Sequence, residues 1–199
     1  MNKGKGLTLE TIIDTAEQMV EEKGYGGFSV RDLAVRLNVK AASLYRYIDS
    51  IEAVDLEIGK RAAVQLDEEL TEAIEGKERG EALEALAYAY RSFVQRNPEL
   101  YRAILGLPSL SESAELREVG KASFQPIRTV VDQCGIPRET GVHFARCFRG
   151  ALHGFVTLQT DGYFTNRSIR SEKSFQFLIE GYINWLEALS EEQRKIVNI

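Results

Sequence analysis

With 199 residues, 44% apolar and 28% charged, and only 4 prolines, the chain has the composition of a folded protein rather than a disordered or fibrous one. Its net charge of -5 excludes a generic polyanion binder, so any affinity for nucleic acid must come from a local basic surface. No run approaches the roughly 20 apolar residues that a bilayer requires, and "MNKGKGLTLE" has no apolar stretch or cleavage site behind its lysines, so a cytoplasmic protein with no membrane partner is expected.

The apolar periodicity is helical from end to end, and no alternating strand pattern appears. Leu9, Ile12, Ile13, Ala16, Met19 and Val20 share one helix face, with Thr8 as the N-cap and Gly24 as the stop. Ser29 opens a short second helix carrying Val30, Leu33, Ala34 and Leu37, which Asn38 ends in a left-handed turn; a third helix runs from about Lys40 to Tyr47. Asp49 or Ser50 caps a long fourth helix whose stripe is Val54, Ile58, Ala62, Leu66, Leu70 and Ile74, up to Gly76. Beyond it the pattern predicts a helix over 79–97, a stop at "RNPE", and a short helix ending at "GLP". Two longer helices follow over about 112–134 and 138–163, parted by "CGIP", then a final amphipathic helix over 172–189 and a polar tail. The predicted fold class is all-α: residues 1–52 form a three-helix domain and residues 53–199 a helical bundle.

Chemistry concentrates in residues 29–52, "SVRDLAVRLNVKAASLYRYIDSIE". Two short helices joined by a tight turn and packed on a longer first helix form a helix-turn-helix, whose second member enters the major groove of double-stranded DNA. Ala34, Leu37, Val39 and Leu44 are spaced to pack inward, which leaves Lys40, Ala42, Ser43, Arg46 and Tyr47 facing outward. The small Ala41, Ala42 and Ser43 permit close approach to base edges, and an alanine methyl can meet a thymine methyl. Arg31, Arg36, Lys40 and Arg46 make this stretch basic within an acidic chain. The spacing alone is also that of a packing motif with a solvated charged face.

The run from Ile12 to Val54, "IIDTAEQMVEEKGYGGFSVRDLAVRLNVKAASLYRYIDSIEAV", closely resembles the N-terminal domain of TetR/AcrR transcriptional regulators, through its Ala and Gly-Tyr anchors and the "LYRY" of the third helix. The resemblance implies DNA contacts from Ser29, Arg31, Lys40, Ala41, Ala42, Ser43, Tyr45, Arg46, Tyr47 and Ser50. Two departures stand out: Ile51 occupies a position where the family commonly has Lys, which puts one phosphate contact in doubt, and Ile48 replaces the usual Phe. Further on, "CFRGALHGFVTLQTDGYF" and "KSFQFLIEGYINWL" resemble the WHG-like sub-family, whose sensor domain carries a His-Gly pair.

In such regulators the last two long helices form a four-helix bundle with a second copy, and the preceding helices enclose a ligand cavity. The resemblance therefore implies a homodimeric repressor that a small effector releases from its operator, because binding at the two sites is reciprocally coupled. The last helix agrees, since Phe175, Leu178, Ile179, Tyr182, Leu186 and Leu189 form a stripe that needs a partner surface, while Phe177 and Trp185 lie off it. The expected dimer interface is Phe175, Leu178, Ile179, Tyr182 and Leu186. The aromatic set suggests an apolar or amphipathic effector in contact with Phe93, Tyr101, Phe124, Phe148, Leu152, His153 and Phe155.

Other chemistries find little support. His143 and Cys147 are four apart on one helix, but zinc requires three or four protein ligands and none accompany them, so no metal and no cofactor are expected. Cys134 and Cys147 lack a framework spacing and read as reduced, buried thiols. With two histidines and no glycine-rich loop there is no nucleophile and base, metal triad or phosphate cradle, so an enzyme is not expected. A dimeric adaptor acting without a small ligand, and an activator instead of a repressor, remain the competing readings.

Overall fold

The computed structural model describes residues 6–108, 113–122, 125–166 and 168–197. Every regular element among them is a helix: α1 Leu9–Lys23, α2 Val30–Arg36, α3 Ala41–Leu44, α4 Ile51–Ile74, α5 Arg79–Arg96, α6 Pro98–Leu105, α7 Ala114–Ala122, α8 Gln125–Asp132, α9 Arg138–Thr160 and α10 Ser171–Val197. No helix is long and apolar enough to cross a membrane among the described residues.

Local chemistry sets the first boundaries. Thr11 N–H donates to Thr8 Oγ1 at 3.1 Å and Thr8 N–H to Thr11 Oγ1 at 2.9 Å, a reciprocal cap that satisfies two otherwise orphaned donors at the start of α1. At its other end Gly24 adopts φ +86° while its N–H still reaches Val20 O at 2.8 Å, a conformation that a side chain rarely takes.

Four expected spans change. The third helix, foreseen from about Lys40 to Tyr47, is α3 Ala41–Leu44, with residues 45–47 in the turn after it. The helix foreseen over 112–134 is represented by α7 and α8, with Pro126 in the first turn of α8. Proline lacks the N–H that a continuing helix would give to the carbonyl four residues back, so it is accommodated where a helix begins. α9 ends at Thr160 rather than 163, because Gly162 turns left-handed at φ +77° and Tyr163 N–H closes on Leu158 O at 2.9 Å. α10 runs on to Val197, taking in the stretch expected as a polar tail.

By packing, the chain forms two compact units: residues 1–65 with 97–119, and residues 66–96 with 120–199. These units divide α4 between them and group α6 with the N-terminal helices. The core of the first unit gathers Ile12, Ile13, Ala16, Met19 and Val20 of α1, Leu33 of α2, Leu44 of α3, Val54 and Ile58 of α4, and Leu100 and Ala103 of α6. Each large side chain buried there contributes about 1.5–3 kcal/mol relative to exposure. α4 and α6 touch closely at Gly59, where an added Cβ would lie 2.7 Å from Ala103 O.

The second unit packs α5, α8, α9 and α10 around Leu83, Leu86, Phe93, Val130, Phe144, Phe148, Leu152, Phe175 and Ile179. α5 and α10 meet closely at Gly80, where a Cβ would come within 2.9 Å of Ile183. Arg91, buried, donates through Nε to Gln159 Oε1 at 2.9 Å and through Nη1 to Glu172 Oε2 at 2.6 Å, with its guanidinium 4.8 Å from the Phe175 ring centroid. That single side chain joins α5 to the end of α9 and the start of α10.

Candidate nucleic-acid interface

The helix-turn-helix is built from short-range hydrogen bonds. Ser29 caps α2 by accepting Asp32 N–H at 3.3 Å, and it donates its own N–H and hydroxyl to Asp32 Oδ2 at 2.9 and 2.6 Å. Those bonds hold the Asp32 carboxyl below the usual carboxylate range. At the other end Asn38 takes φ +55°, the left-handed conformation that asparagine tolerates better than most residues, and Val39 N–H reaches back to Ala34 O at 3.0 Å. α3 packs against α2 across this turn, and Leu44 and Ile48 anchor it in the core, 0% and 5% exposed.

What this leaves outside is the exposed side of α3 and of the turns that flank it. Lys40, Ala42, Tyr45, Arg46 and Tyr47 are exposed, and Ala41 and Ser43 are half-buried. Arg31 is exposed on the first turn of α2. Among the described residues Arg31, Lys40 and Arg46 have no ion-pair partner, whereas Arg36 is held in a two-point pair by Glu22 at 2.5 and 3.0 Å. Arg36 therefore leaves the basic set that the sequence assembles, and three cations remain free to meet phosphate.

Two expected contacts take on other work. Ser29 lends both of its donors to Asp32, so a phosphate there would have to break the cap. Ser50 caps α4 by accepting Ala53 N–H at 3.3 Å, and its hydroxyl bonds Glu52, which holds that exposed carboxyl below its ordinary range. Ile51, half-buried, packs against the core of the first unit. The position at which the resemblance leads one to expect a lysine is thus spent on packing, with an acidic neighbour in the same turn.

The expected effector residues fall in both packed units. Tyr101 lies in the first unit; Phe93, Phe148, Leu152, His153 and Phe155 lie in the second; Phe124 is outside the described residues. Phe148 stacks on Phe144 at 6.1 Å and meets Tyr182 at 5.0 Å, while Phe155 meets Phe164 at 4.9 Å and Phe175 at 5.2 Å. Phe93, Phe148 and Leu152 are fully buried in the core. His153 is half-buried, its Nδ1 3.5 Å from Thr157 Oγ1.

The stripe assigned to a dimer also needs correcting. Phe175, Ile179 and Leu186 are 0%, 2% and 1% exposed within the single chain, packed inside the second unit, and have no surface left to give a second copy. Leu178 and Tyr182 are half-buried. The apolar residues that face outward on α10 are Phe177, 75% exposed, and Trp185, 41% exposed, the pair that lies off the stripe. An open groove of about 530 Å³ runs beside Arg138, Val142, His143 and Arg146 on the outward side of α9. Cys134 is buried as expected, but Cys147 is exposed on α9.

Comparison with known proteins adds two family matches. Residues 12–58 match the model of bacterial regulatory proteins of the tetR family, and residues 83–182 match the tetracyclin repressor-like C-terminal domain. The chain is 28% identical to the uncharacterized HTH-type transcriptional regulator Rv0681 of Mycobacterium tuberculosis, over 82% of this chain and 79% of that one. It is 28% identical to the uncharacterized HTH-type transcriptional regulator YobS of Bacillus subtilis, over 77% and 79%. Its fold is shared with a protein of unknown function from Rhodococcus sp. RHA1, with a TM-score of 0.79, 21% identity, and coverage of 94% of this chain and 99% of that one.

Proposed function

The chain belongs to the TetR family of bacterial transcriptional regulators, and from that premise we propose that it is a repressor which a small effector releases from its operator. As a family member it is a DNA-binding regulator and not an enzyme. The observation that carries the finer reading is the exposed surface at the two ends of α3, where Lys40 at its N-cap and Arg46 in the turn after it, flanked by the exposed Tyr45 and Tyr47, stand without acidic partners. Side chains anchored on a packed helix and left unpaired at their tips are what phosphate and base-edge contacts require.

In this reading Lys40, Arg31, Tyr45 and Tyr47 position the protein on phosphates, with Ser29 and Ser50 contributing only at the expense of their caps. Ala41, Ala42, Ser43 and Arg46 face the bases. Residues 1–52 form the DNA-binding domain and 53–199 the sensing and dimerising domain. A second copy covers the outward face of α10 around Phe177 and Trp185, so that two α3 helices address major grooves about 34–36 Å apart. α4 contributes residues 51–65 to one packed unit and 66–74 to the other, so its backbone carries a change in the sensing unit to the reading unit.

The repressor-like C-terminal match supports effector control, and the His153-Gly154 pair is the basis for keeping the WHG-like sub-family within the proposal. The apolar interior of the second unit suits an apolar or amphipathic effector. Footprinting on the DNA flanking its own gene tests the whole: two protected half-sites one helical turn apart are expected, lost when the effector is added. Protection that no cell extract of small metabolites reverses would favour a ligand-free regulator. Increased transcription from the protected promoter in the presence of the protein would mark an activator.

A further inference from the structure

Arg36 closes α2 and Lys40 stands at the start of α3, four residues apart on either side of the turn at Asn38. Lys40 is exposed with no ion-pair partner among the described residues, and so are Arg31 and Arg46. Arg36 differs. Its Nη2 donates to Glu22 Oε1 at 2.5 Å and its Nη1 to Glu22 Oε2 at 3.0 Å, which ties it to the last turn of α1. The bond holds the Glu22 carboxyl below the ordinary range and raises the guanidinium above its own. The fold does not depend on this pair. The side chains of Arg36 and Glu22 are 44% and 49% exposed, so solvent screens them and the pair contributes little to stability. α1 and α2 are joined instead through Met19, Val20, Leu33 and Ala34 in the core of the first unit.

The consequence of the pair is electrostatic. Four residues reach at most about 14 Å, inside the roughly 30 Å over which charges act in about 10 mM salt, so a phosphate beside Lys40 lies in the field of whatever charge residue 36 carries. With Glu22 in place that charge is cancelled. We propose that Glu22 limits the affinity of this regulator for DNA: by occupying Arg36 it withholds one cation per subunit from the phosphate backbone. Phosphate contacts carry no sequence information, so withholding one leaves a larger share of the affinity to the groups that read bases. This rests on the placement of α3 against DNA proposed above, and it adds a residue of α1 to the set that tunes binding.

Fluorescence anisotropy of the full-length protein with a labelled duplex of random sequence, over a series of salt concentrations, tests it. Glu22→Gln should bind the duplex about three-fold more tightly or better at low salt, and the slope of log affinity against log salt should steepen by about 1.8, taking about 0.9 for one phosphate gained in each subunit of a dimer. Its melting temperature should match that of the parent. The double variant Glu22→Gln with Arg36→Gln should return the slope to that of the parent, because the cation that was released is gone. A pair that serves the fold gives the opposite sign: Glu22→Gln melts lower and binds the duplex no tighter, which would overturn the proposal. Tighter binding that persists in the double variant would overturn it too, since Glu22 would then act on phosphate directly or through its neighbour Lys23. A parent chain that binds neither this duplex nor the DNA flanking its own gene counts against the regulator reading, whereas a parent that binds while Glu22→Gln binds no better counts against this one alone.

Discussion

The backbone N–H of Tyr25 donates to Glu99 Oε2 at 2.8 Å, a bond that joins the turn after α1 to the first turn of α6 across 74 positions of chain. The same carboxylate receives Arg102 Nη1 at 2.5 Å, and it lies at a helix N-terminus, where negative charge is favourable. Glu99→Ala leaves the Tyr25 N–H without its acceptor, which should cost about 1–3 kcal/mol. For a chain of this length each kcal/mol lowers the melting temperature by about 2–4 °C. Thermal unfolding followed by circular dichroism checks it; an unchanged midpoint would mean that α6 is held to the reading unit by apolar packing alone.

Gly59→Ala sets two effects of opposite sign against each other. Alanine in a helix interior is favoured over glycine by about 1 kcal/mol. Here, however, its Cβ would lie 2.7 Å from Ala103 O and 2.8 Å from Leu107 Cδ2, and the first of these is backbone that cannot swing aside. Overpacking of this kind costs about 1–3 kcal/mol, so the variant should be less stable than the parent. Gly150→Ala, with nothing within 4 Å of the added methyl, should show the propensity gain instead. Chemical denaturation of the two variants side by side measures the difference.

Asp55 gives a pH-dependent expectation. Burial, reinforced by the charge of Glu52, raises its carboxyl above the ordinary value. A folded-state pKa above the unfolded one means that the protonated form is favoured by folding, so this contribution is present at low pH and is lost as pH rises through the raised pKa. Asp55→Asn removes the charge permanently. It should therefore melt higher than the parent at neutral pH, and the difference should shrink as pH falls through the carboxylate range. A difference that is constant with pH would show that Asp55 acts through shape rather than charge.

The parts of this structure that are legible in the sequence are those set by neighbours a few residues away. Thr8 with Thr11 and Ser29 with Asp32 cap their helices through contacts three residues long, and the stops at Gly24 and Asn38 depend on one residue's own conformation. The outward face of α3 follows, because Leu44 and Ile48 fix its rotation. α10 is different: it is apolar on two faces, and periodicity alone does not say which face belongs to the chain and which to a partner. The stripe through Phe175 and Ile179 turned out to be internal. The aromatic residues assigned to an effector were illegible for a related reason, since a phenylalanine filling a core and one lining a cavity have the same sequence signature. Arg36 pairs with Glu22, fourteen residues back on another helix, which only the fold could reveal.

Phe177 and Phe175 separate the two faces of α10 experimentally. Phe177 is 75% exposed, so Phe177→Asp should leave the protomer's stability within about 0.5 kcal/mol. If a second copy covers this face, the same change should convert the dimer to a folded monomer in light scattering at micromolar concentration. Phe175→Asp removes a fully buried ring packed against Tyr88 and Phe155 and puts a short charged side chain in the core, so it should unfold the chain instead. A Phe177→Asp protein that stays dimeric would place the contact on another face.

The reading surface makes the most demanding prediction, because it requires affinity and stability to part company. Tyr47 and Arg46 are exposed, so Tyr47→Ala and Arg46→Ala should leave the melting temperature nearly unchanged, within the roughly 0.5 kcal/mol usual for such sites. Operator affinity should nevertheless fall about ten-fold or more, since a lost base contact or charged phosphate contact is worth about 1–3 kcal/mol. Salt dependence then tells the two kinds of contact apart. Loss of one phosphate contact per subunit removes two from a dimer and should flatten the slope of log affinity against log salt by about 1.8, taking about 0.9 per phosphate. Lys40→Ala should show that flattening with all sequences weakened alike. Arg36→Ala should leave the slope unchanged, because its guanidinium is already occupied by Glu22. Substitutions at Ala42 and Ser43 should instead keep the slope and relax preference at single operator positions, the signature of a residue that reads sequence. Fluorescence anisotropy over a series of salt concentrations measures both quantities. If Lys40→Ala and Arg36→Ala flatten the slope equally, the Glu22 pair opens on DNA and the basic face extends onto α2.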